Sequence, residues 1–166
     1  QPSIIIENKK YIGVVSPRDL LRSITDSKLE QARYANPLTG LPGNVVIEKE
    51  IDCMLNKKKP FNLAYLDLNH FKPFNDIYGY AKGDLLLKTL ANCIMINTNN
   101  RYCFVGHIGG DDFIIMFKSN DVEVICQKIL DDFAKQSLSF ISQEHKEQQG
   151  YSALDRRGNE VFHPLV

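Results

Sequence analysis

Two short stretches carry side chains able to do chemistry on a charged substrate: Asp67 in the apolar run FNLAYLDL, and Asp111 with Asp112 in VGHIGGDDFIIMF. A carboxylate between Leu66 and Leu68 in a strand-like run is costly to bury unless it is paired or bound to a cation. Oxygen ligands suit Mg²⁺, and two acids beside a triphosphate are what metal-assisted phosphoryl or nucleotidyl transfer needs. This expectation requires the strand of Asp67 to lie beside the hairpin of Asp111, so that both carboxylates reach one sheet edge. Spacing alone leaves a plainer reading equally open, in which Asp67 caps the following helix and Asp111 and Asp112 solvate a turn. The segment between them favours a site. Lys72 and several backbone N–H groups follow Asp67 closely, and Asn75 and Asp84 carry groups that hydrogen-bond the edge of a purine. An acid with an amide suits guanine, whose N1–H and N2–H₂ need acceptors.

The elements that must position these groups are legible from pattern. Gly109 and Gly110 mark a hairpin turn, because glycine reaches positive φ without a Cβ clash; residues 102–108 and 113–117 are its arms. Residues 61–68 read as a buried strand, and Tyr65, Phe71, Phe74, Phe113 and Phe117 as core. Helical spacing is expected over 45–57, from Asp84 to about residue 96, and from Asp121 to about residue 141. Residues 151–166 read as two strands around RRGN. At the other end, 3–7 and 11–15 form a hairpin. Ser16-Pro17 then opens a helix that continues through 26–35 towards Asn36-Pro37, where proline disfavours helical geometry. Helices alternate with strands, and one strand pair has a tight turn. The fold class is therefore α+β, with helices against a mixed or antiparallel sheet.

Bulk properties narrow the function. The 166 residues suffice for one domain with room for a short neighbouring piece, and begin with Gln1, so a fragment is expected. Twenty basic and twenty acidic residues cancel, which argues against nucleic-acid or membrane-surface binding. The four cysteines, without a C-x-x-C pair, fit reduced thiols and a cytoplasmic location. The four histidines are scattered without ligand spacing. No apolar run reaches the roughly 20 residues that cross a bilayer.

PLTGLPGN, LDLNHFKPFNDIYGYAKGD and HIGGDDF, in this order, resemble the three signature blocks of GGDEF domains, the diguanylate cyclase family. The resemblance implies a palm-like sheet related to that of nucleotide cyclases. It also implies Mg²⁺ or Mn²⁺ as cofactor and GTP as substrate, with two such domains meeting face to face to condense two GTP into cyclic di-GMP. Asp67, Asp111 and the backbone carbonyl of Leu68 would be the metal ligands. Gly109 and Gly110 would let backbone approach the nucleotide, Lys72 and the N–H groups of Asn69, His70 and Phe71 would hold phosphates, and Asn75 and Asp84 would read guanine. Asp111, Asp112 and Lys72 would carry catalysis, with Asp112 standing where the family usually has glutamate. Asn36, Asn69, Tyr80 and His107 depart from the usual Asp, Asp, His and Arg. A product-feedback R-x-x-D motif would fall at Asn100 and Cys103, which do not match, so no such inhibitory site is expected. Family members also continue beyond the position of Val166 into a further strand and helix, so the fold is expected to be truncated at its carboxyl end and this fragment inactive alone.

IIIENKKYIGVVSPRDLL resembles the ending of a CBS module, with Asp19 at the position that contacts adenosine ribose in many of them. The two resemblances together imply a partial CBS module over 1–25, a linker helix over 26–35 and a GGDEF domain over 36–166. They also imply a parent chain that carries an EAL phosphodiesterase domain. A second functional expectation follows: a GTP-binding domain without turnover that regulates the attached EAL domain.

Overall fold

The computed structural model describes residues 2–98, 103–118, 120–154 and 157–164. In chain order the elements are β1 (Ser3–Glu7), β2 (Lys10–Val15), α1 (Pro17–Arg33), α2 (Asn44–Asn56), β3 (Asn62–Leu66), α3 (Phe71–Tyr78) and α4 (Tyr80–Thr98). They continue with β4 (Cys103–Gly109), β5 (Asp112–Phe117), α5 (Val122–Ser137), a 3₁₀ turn at Leu138–Phe140, α6 (Gln143–Glu147), β6 (Gly150–Leu154) and β7 (Glu160–Pro164).

The near-continuous apolar sequence of β5 is explained by its place in the middle of an antiparallel sheet of order β3-β5-β4 with both faces covered. Phe113, Ile115 and Phe117 point to one face, where they meet Leu87, Leu90 and Ile94 of α4 and Ile125 and Ile129 of α5. Ile114 and Met116 point to the other and pack on Ile47 of α2. Each of these side chains is buried, and a fully buried one contributes roughly 1.5–3 kcal/mol. Gly106 admits α2 to the sheet, since a Cβ there would lie 2.5 Å from Cγ1 of Ile47. The antiparallel sheet with helices on it is the α+β architecture expected from the sequence.

Several local expectations need correction. The strand over 61–68 is shorter, ends at Leu66 and lies at the sheet edge rather than inside it. Leu63 and Tyr65 are therefore exposed, so Tyr65 is not core. The helix expected from Asp121 to residue 141 stops at Ser137; Ile141 is extended and Ser142 caps a new helix by accepting from the N–H of His145. The helix expected at Asp84 starts at Tyr80, immediately after Gly79 ends α3 at φ 84°. β6 and β7 form their own two-stranded sheet.

At the amino end, β1 and β2 pair as expected, and Ser16 caps α1 by accepting from the N–H of Asp19. The same Ser16 hydroxyl donates to the Asp19 carboxylate at 2.6 Å. α1 runs without a break through residue 25, where a module boundary was expected, and ends at Arg33. Its end is tied to α2: Gly43 N–H donates to the Tyr34 carbonyl, and Lys49 pairs with Glu30. Among the described residues no helix is long and apolar enough to cross a membrane.

Candidate active site

The turn between β4 and β5 is built by two glycines, Gly109 at φ 153° and Gly110 at φ 57°, conformations that strain any L side chain. A register shift between His107 and Gly109 adds a bulge, which throws Asp111 out at the end of the hairpin. On the neighbouring strand Leu66 pairs with Phe113. One step further along this register Asp67 comes opposite Asp112, so the expected juxtaposition of strand and hairpin is present. Asp67 itself is exposed just past β3 rather than buried within it.

The carboxylates feel one another. Partial burial pushes the Asp111 carboxyl above the ordinary carboxylate range; its own backbone N–H opposes the shift, and the charges of Asp67 and Asp112 add to it. Asp112 first, then slight burial and the charges of Asp67 and Asp111, make the Tyr65 phenol hold its proton more tightly than usual. Three acids in mutual electrostatic reach are unfavourable without a counter-charge. Among the described residues no group of three His, Cys, Asp or Glu side chains converges closely enough to hold a metal alone. The carboxylates of Asp67 and Asp111, within electrostatic reach of each other, are hard oxygen donors of the kind that Mg²⁺ or Mn²⁺ takes together with substrate phosphates. The donor set fits.

Beyond Asp67 the chain bends through His70, which sits in the left-handed region at φ 60°, and enters α3. The Leu68 carbonyl accepts the Phe71 N–H at 3.3 Å, a long bond that leaves a second lone pair. Lys72 forms an exposed ion pair with Asp76 at 2.8 Å. Leu68, His70, Lys72 and Asp111 line one cavity of about 350 Å³, closed by Leu154 and His163 of the β6–β7 hairpin. Asp67 and Asn69 lie instead at the rim of a neighbouring, largely apolar cavity of about 420 Å³ between α3, α4 and α5.

Asn75 lies under α4, 9% exposed, with its Oδ1 lacking any hydrogen-bond partner. It abuts Gly83, the residue before the exposed Asp84 on α4. An unpaired buried acceptor costs about 1–3 kcal/mol and calls for a ligand or a reason.

Sequence reasoning missed three relationships. His107, buried in β4, bonds both Thr39 and Gly110. His70 and His163, expected to be scattered, face each other with Nδ1 atoms 3.1 Å apart. Tyr78 on α3 bonds His145 of α6. Polar residues inside apolar runs were the available signal for His107 and His163; nothing local gave their partners. Asn100 lies outside the described residues, and Cys103 opens β4 opposite Phe117. The four cysteines are free, with Cys93 buried and the others half-buried.

Comparison with known proteins follows these features. A family model described as "Diguanylate cyclase, GGDEF domain" matches residues 34–157. Diguanylate cyclase DgcZ of Escherichia coli strain K12 is 40% identical over 92 residues, covering 54% of this chain and 31% of the relative. The bifunctional diguanylate cyclase/cyclic di-GMP phosphodiesterase MucR of Pseudomonas aeruginosa is 28% identical over 110 residues, 62% of this chain and 16% of its own length. The chain thus spans less than a third of either relative. Among solved structures, diguanylate cyclase SiaD from Pseudomonas aeruginosa, crystallised with its activator SiaC, superposes with TM-score 0.60 at 24% identity, covering 69% of this chain and 46% of that one. The GGDEF domain of DgcB from Caulobacter crescentus, crystallised with c-di-GMP, gives 0.53 at 22%, covering 76% and 70%. At such identities the superpositions speak to the fold.

Proposed function

The chain belongs to the GGDEF family of diguanylate cyclase domains, and from that premise we propose that it binds GTP with Mg²⁺ or Mn²⁺ at the β4–β5 turn and joins two GTP into cyclic di-GMP. One observation carries this reading. Asp67 and Asp111 lie within electrostatic reach of each other, and Asp111 shares a cavity with Lys72 and Leu68.

In this reading Asp67, Asp111 and the Leu68 carbonyl hold the cation. Bound there, it would neutralise the triphosphate and the charge that develops on the α-phosphate during displacement. Lys72 gives up Asp76 for a phosphate, and the Asn69, His70 and Phe71 backbone, with Gly109 and Gly110, forms the cradle around it. The Asn75 Oδ1, buried without a donor, and Asp84 accept from guanine N1–H and N2–H₂. A 3′-hydroxyl oxygen of one GTP attacks the α-phosphorus of the other, pyrophosphate leaves, and a second such step closes the ring. Each domain holds one GTP, so two copies, or this domain and another of its family, must face each other. Placement is exacting, since an error of about 1 Å costs on the order of 100-fold in rate.

A second reading has its own observation: Asp112, a methylene shorter than the family's usual glutamate, is engaged by Tyr65. Here the domain binds GTP without turnover and regulates an attached EAL phosphodiesterase. A partial CBS module over residues 1–25, an EAL domain in the parent chain and a cytoplasmic location belong to this proposal too; the β1–β2 hairpin followed by the Ser16-capped helix supports the first.

The test is GTP turnover with Mg²⁺ and chromatography for cyclic di-GMP, on this chain and on one extended beyond Val166, each with Asp111→Ala alongside. Product that disappears in the variant supports the cyclase. Magnesium-dependent GTP binding without product supports the regulatory reading, and absence of both removes each.

A further inference from the structure

One histidine joins the β4–β5 turn to the loop of Thr39, which lies 68 residues before it in sequence. His107 is 1% exposed, and its ring stacks on Phe113 with centroids 4.1 Å apart and planes within 15°. Nδ1 lies 2.9 Å from Oγ1 of Thr39, and Nε2 lies 3.0 Å from the carbonyl oxygen of Gly110. Its backbone N–H donates to the Pro42 carbonyl at 2.9 Å. A carbonyl oxygen only accepts, so Nε2 must carry the proton; in the neutral ring Nδ1 is then the acceptor and the Thr39 hydroxyl its donor. Thr39 is itself held, because its N–H donates to Asn36 Oδ1 at 3.3 Å and its hydroxyl oxygen takes the Leu41 N–H at 3.4 Å.

The Gly110 carbonyl and the Asp111 N–H belong to one planar peptide. Fixing the oxygen on His107 at 3.0 Å aims the N–H the opposite way and sets the backbone from which the Asp111 carboxylate projects. Gly110 has no Cβ to restrain it, so the turn needs an outside anchor. We propose that His107 is a positioning residue for Asp111, holding its carboxylate in place through the Gly110 peptide, with Thr39 selecting the tautomer that allows it. His107 touches no expected ligand position and acts only through its neighbours. The consequence for cation and nucleotide rests on the function proposed above.

The test compares the wild-type chain with His107→Phe, His107→Gln and Thr39→Val. Phenylalanine keeps the stack on Phe113 but has no donor; the glutamine amide reaches about as far as Nε2 and restores one. Three quantities are read: the His107 tautomer from imidazole ¹⁵N shifts, the Asp111 amide resonance, and Mn²⁺ affinity by electron paramagnetic resonance. The expected results are an Nε2–H tautomer in wild type and a displaced Asp111 amide in His107→Phe. Mn²⁺ affinity should fall about tenfold in that variant, the size of one net hydrogen bond, and recover in His107→Gln. Thr39→Val should populate the other tautomer and move the same amide.

An Nδ1–H tautomer in wild type, an unmoved Asp111 amide in His107→Phe, or equal losses in Phe and Gln would each overturn the proposal. If His107→Phe does not fold, the tautomer and the Thr39→Val amide shift decide. If wild type takes up no Mn²⁺, the metal reading fails, while the tautomer and amide still judge the positioning role.

Discussion

A Cβ at Gly83 would stand 1.8 Å from Oδ1 of Asn75 and 2.9 Å from its Cγ. The buried amide thus occupies the space that a side chain on α4 would fill. For Gly83→Ala two effects compete. Alanine favours the helix by about 1 kcal/mol, while overpacking costs about 1–3 kcal/mol. The net is a loss of about 0–2 kcal/mol in stability, and Asn75 must leave its place. Thermal unfolding with GTP and ATP titrations would show an unchanged or lower Tm and a loss of about tenfold or more in preference for GTP. Unchanged preference would remove Asn75 from guanine recognition.

Asp111 is a charge held at a disadvantage. Its carboxyl is raised by partial burial first and by Asp67 and Asp112 after it, so the folded state disfavours the ionised form. The contribution to stability is therefore full below the unfolded carboxylate range and is lost as pH rises through the folded value. At neutral pH, Asp111→Asn should raise the Tm of the metal-free chain. Solvent screening at this half-exposed site keeps the gain below about 1 kcal/mol, or about 1–3 °C. Mg²⁺ should raise the Tm of wild type and not of the variant. A variant that melts lower without metal would mean that the carboxylate has a stabilising partner.

Gly106 makes a prediction about the scaffold beneath the site. Its Cβ would press on Cγ1 and Cδ1 of Ile47 and on Ile114, all in the core under α2. Gly106→Ala should cost about 1–3 kcal/mol in denaturant unfolding. Gly106→Ala combined with Ile47→Ala should cost less than the sum of the two single losses, because both nearest clashing atoms, Cγ1 and Cδ1, are then gone. Losses that simply add would place the strain in the backbone.

What the sequence made legible was local. The apolar run of β5, the double glycine and the Ser16-Pro17 cap each fix an element through their own φ/ψ or burial preference, and the structure follows them. Position within the sheet was harder to read. FNLAYLDL looks like a buried strand, yet among the described residues β3 pairs with β5 alone and stands at the edge, with Tyr65 and Asp67 exposed. The pairing of Asp67 with the GGDD turn was foreseen because it needed only two neighbouring strands. His107 with Thr39, and His70 with His163, required the packing of loops far apart in the chain, which no period or spacing encodes.

His163 carries the pH dependence of the β6–β7 hairpin. Burial above all, with the neighbouring His70, lowers its pKa from the ordinary 6.5. Its ring is 8% exposed, tilted against Tyr151 with centroids 5.8 Å apart, and its Nε2 has no partner. Lys72, Asp76 and Asp111 line the same cavity, while the lowering comes from burial and then from His70. Because the folded pKa is depressed, the unfolded chain binds the proton more readily. Hairpin stability is then full above about pH 6.5 and is lost as pH falls through the folded value. Amide exchange of Tyr151 and Phe162, corrected for intrinsic rates between pH 5 and 8, should show protection falling on the acid side. His163→Phe keeps the packing and removes the unpaired nitrogen, so its protection should be flat over that range. His163→Ala should lose protection at every pH through the cavity it leaves. Protection that rises on acidification in wild type would mean that Asp76 and Asp111, not burial, govern this histidine.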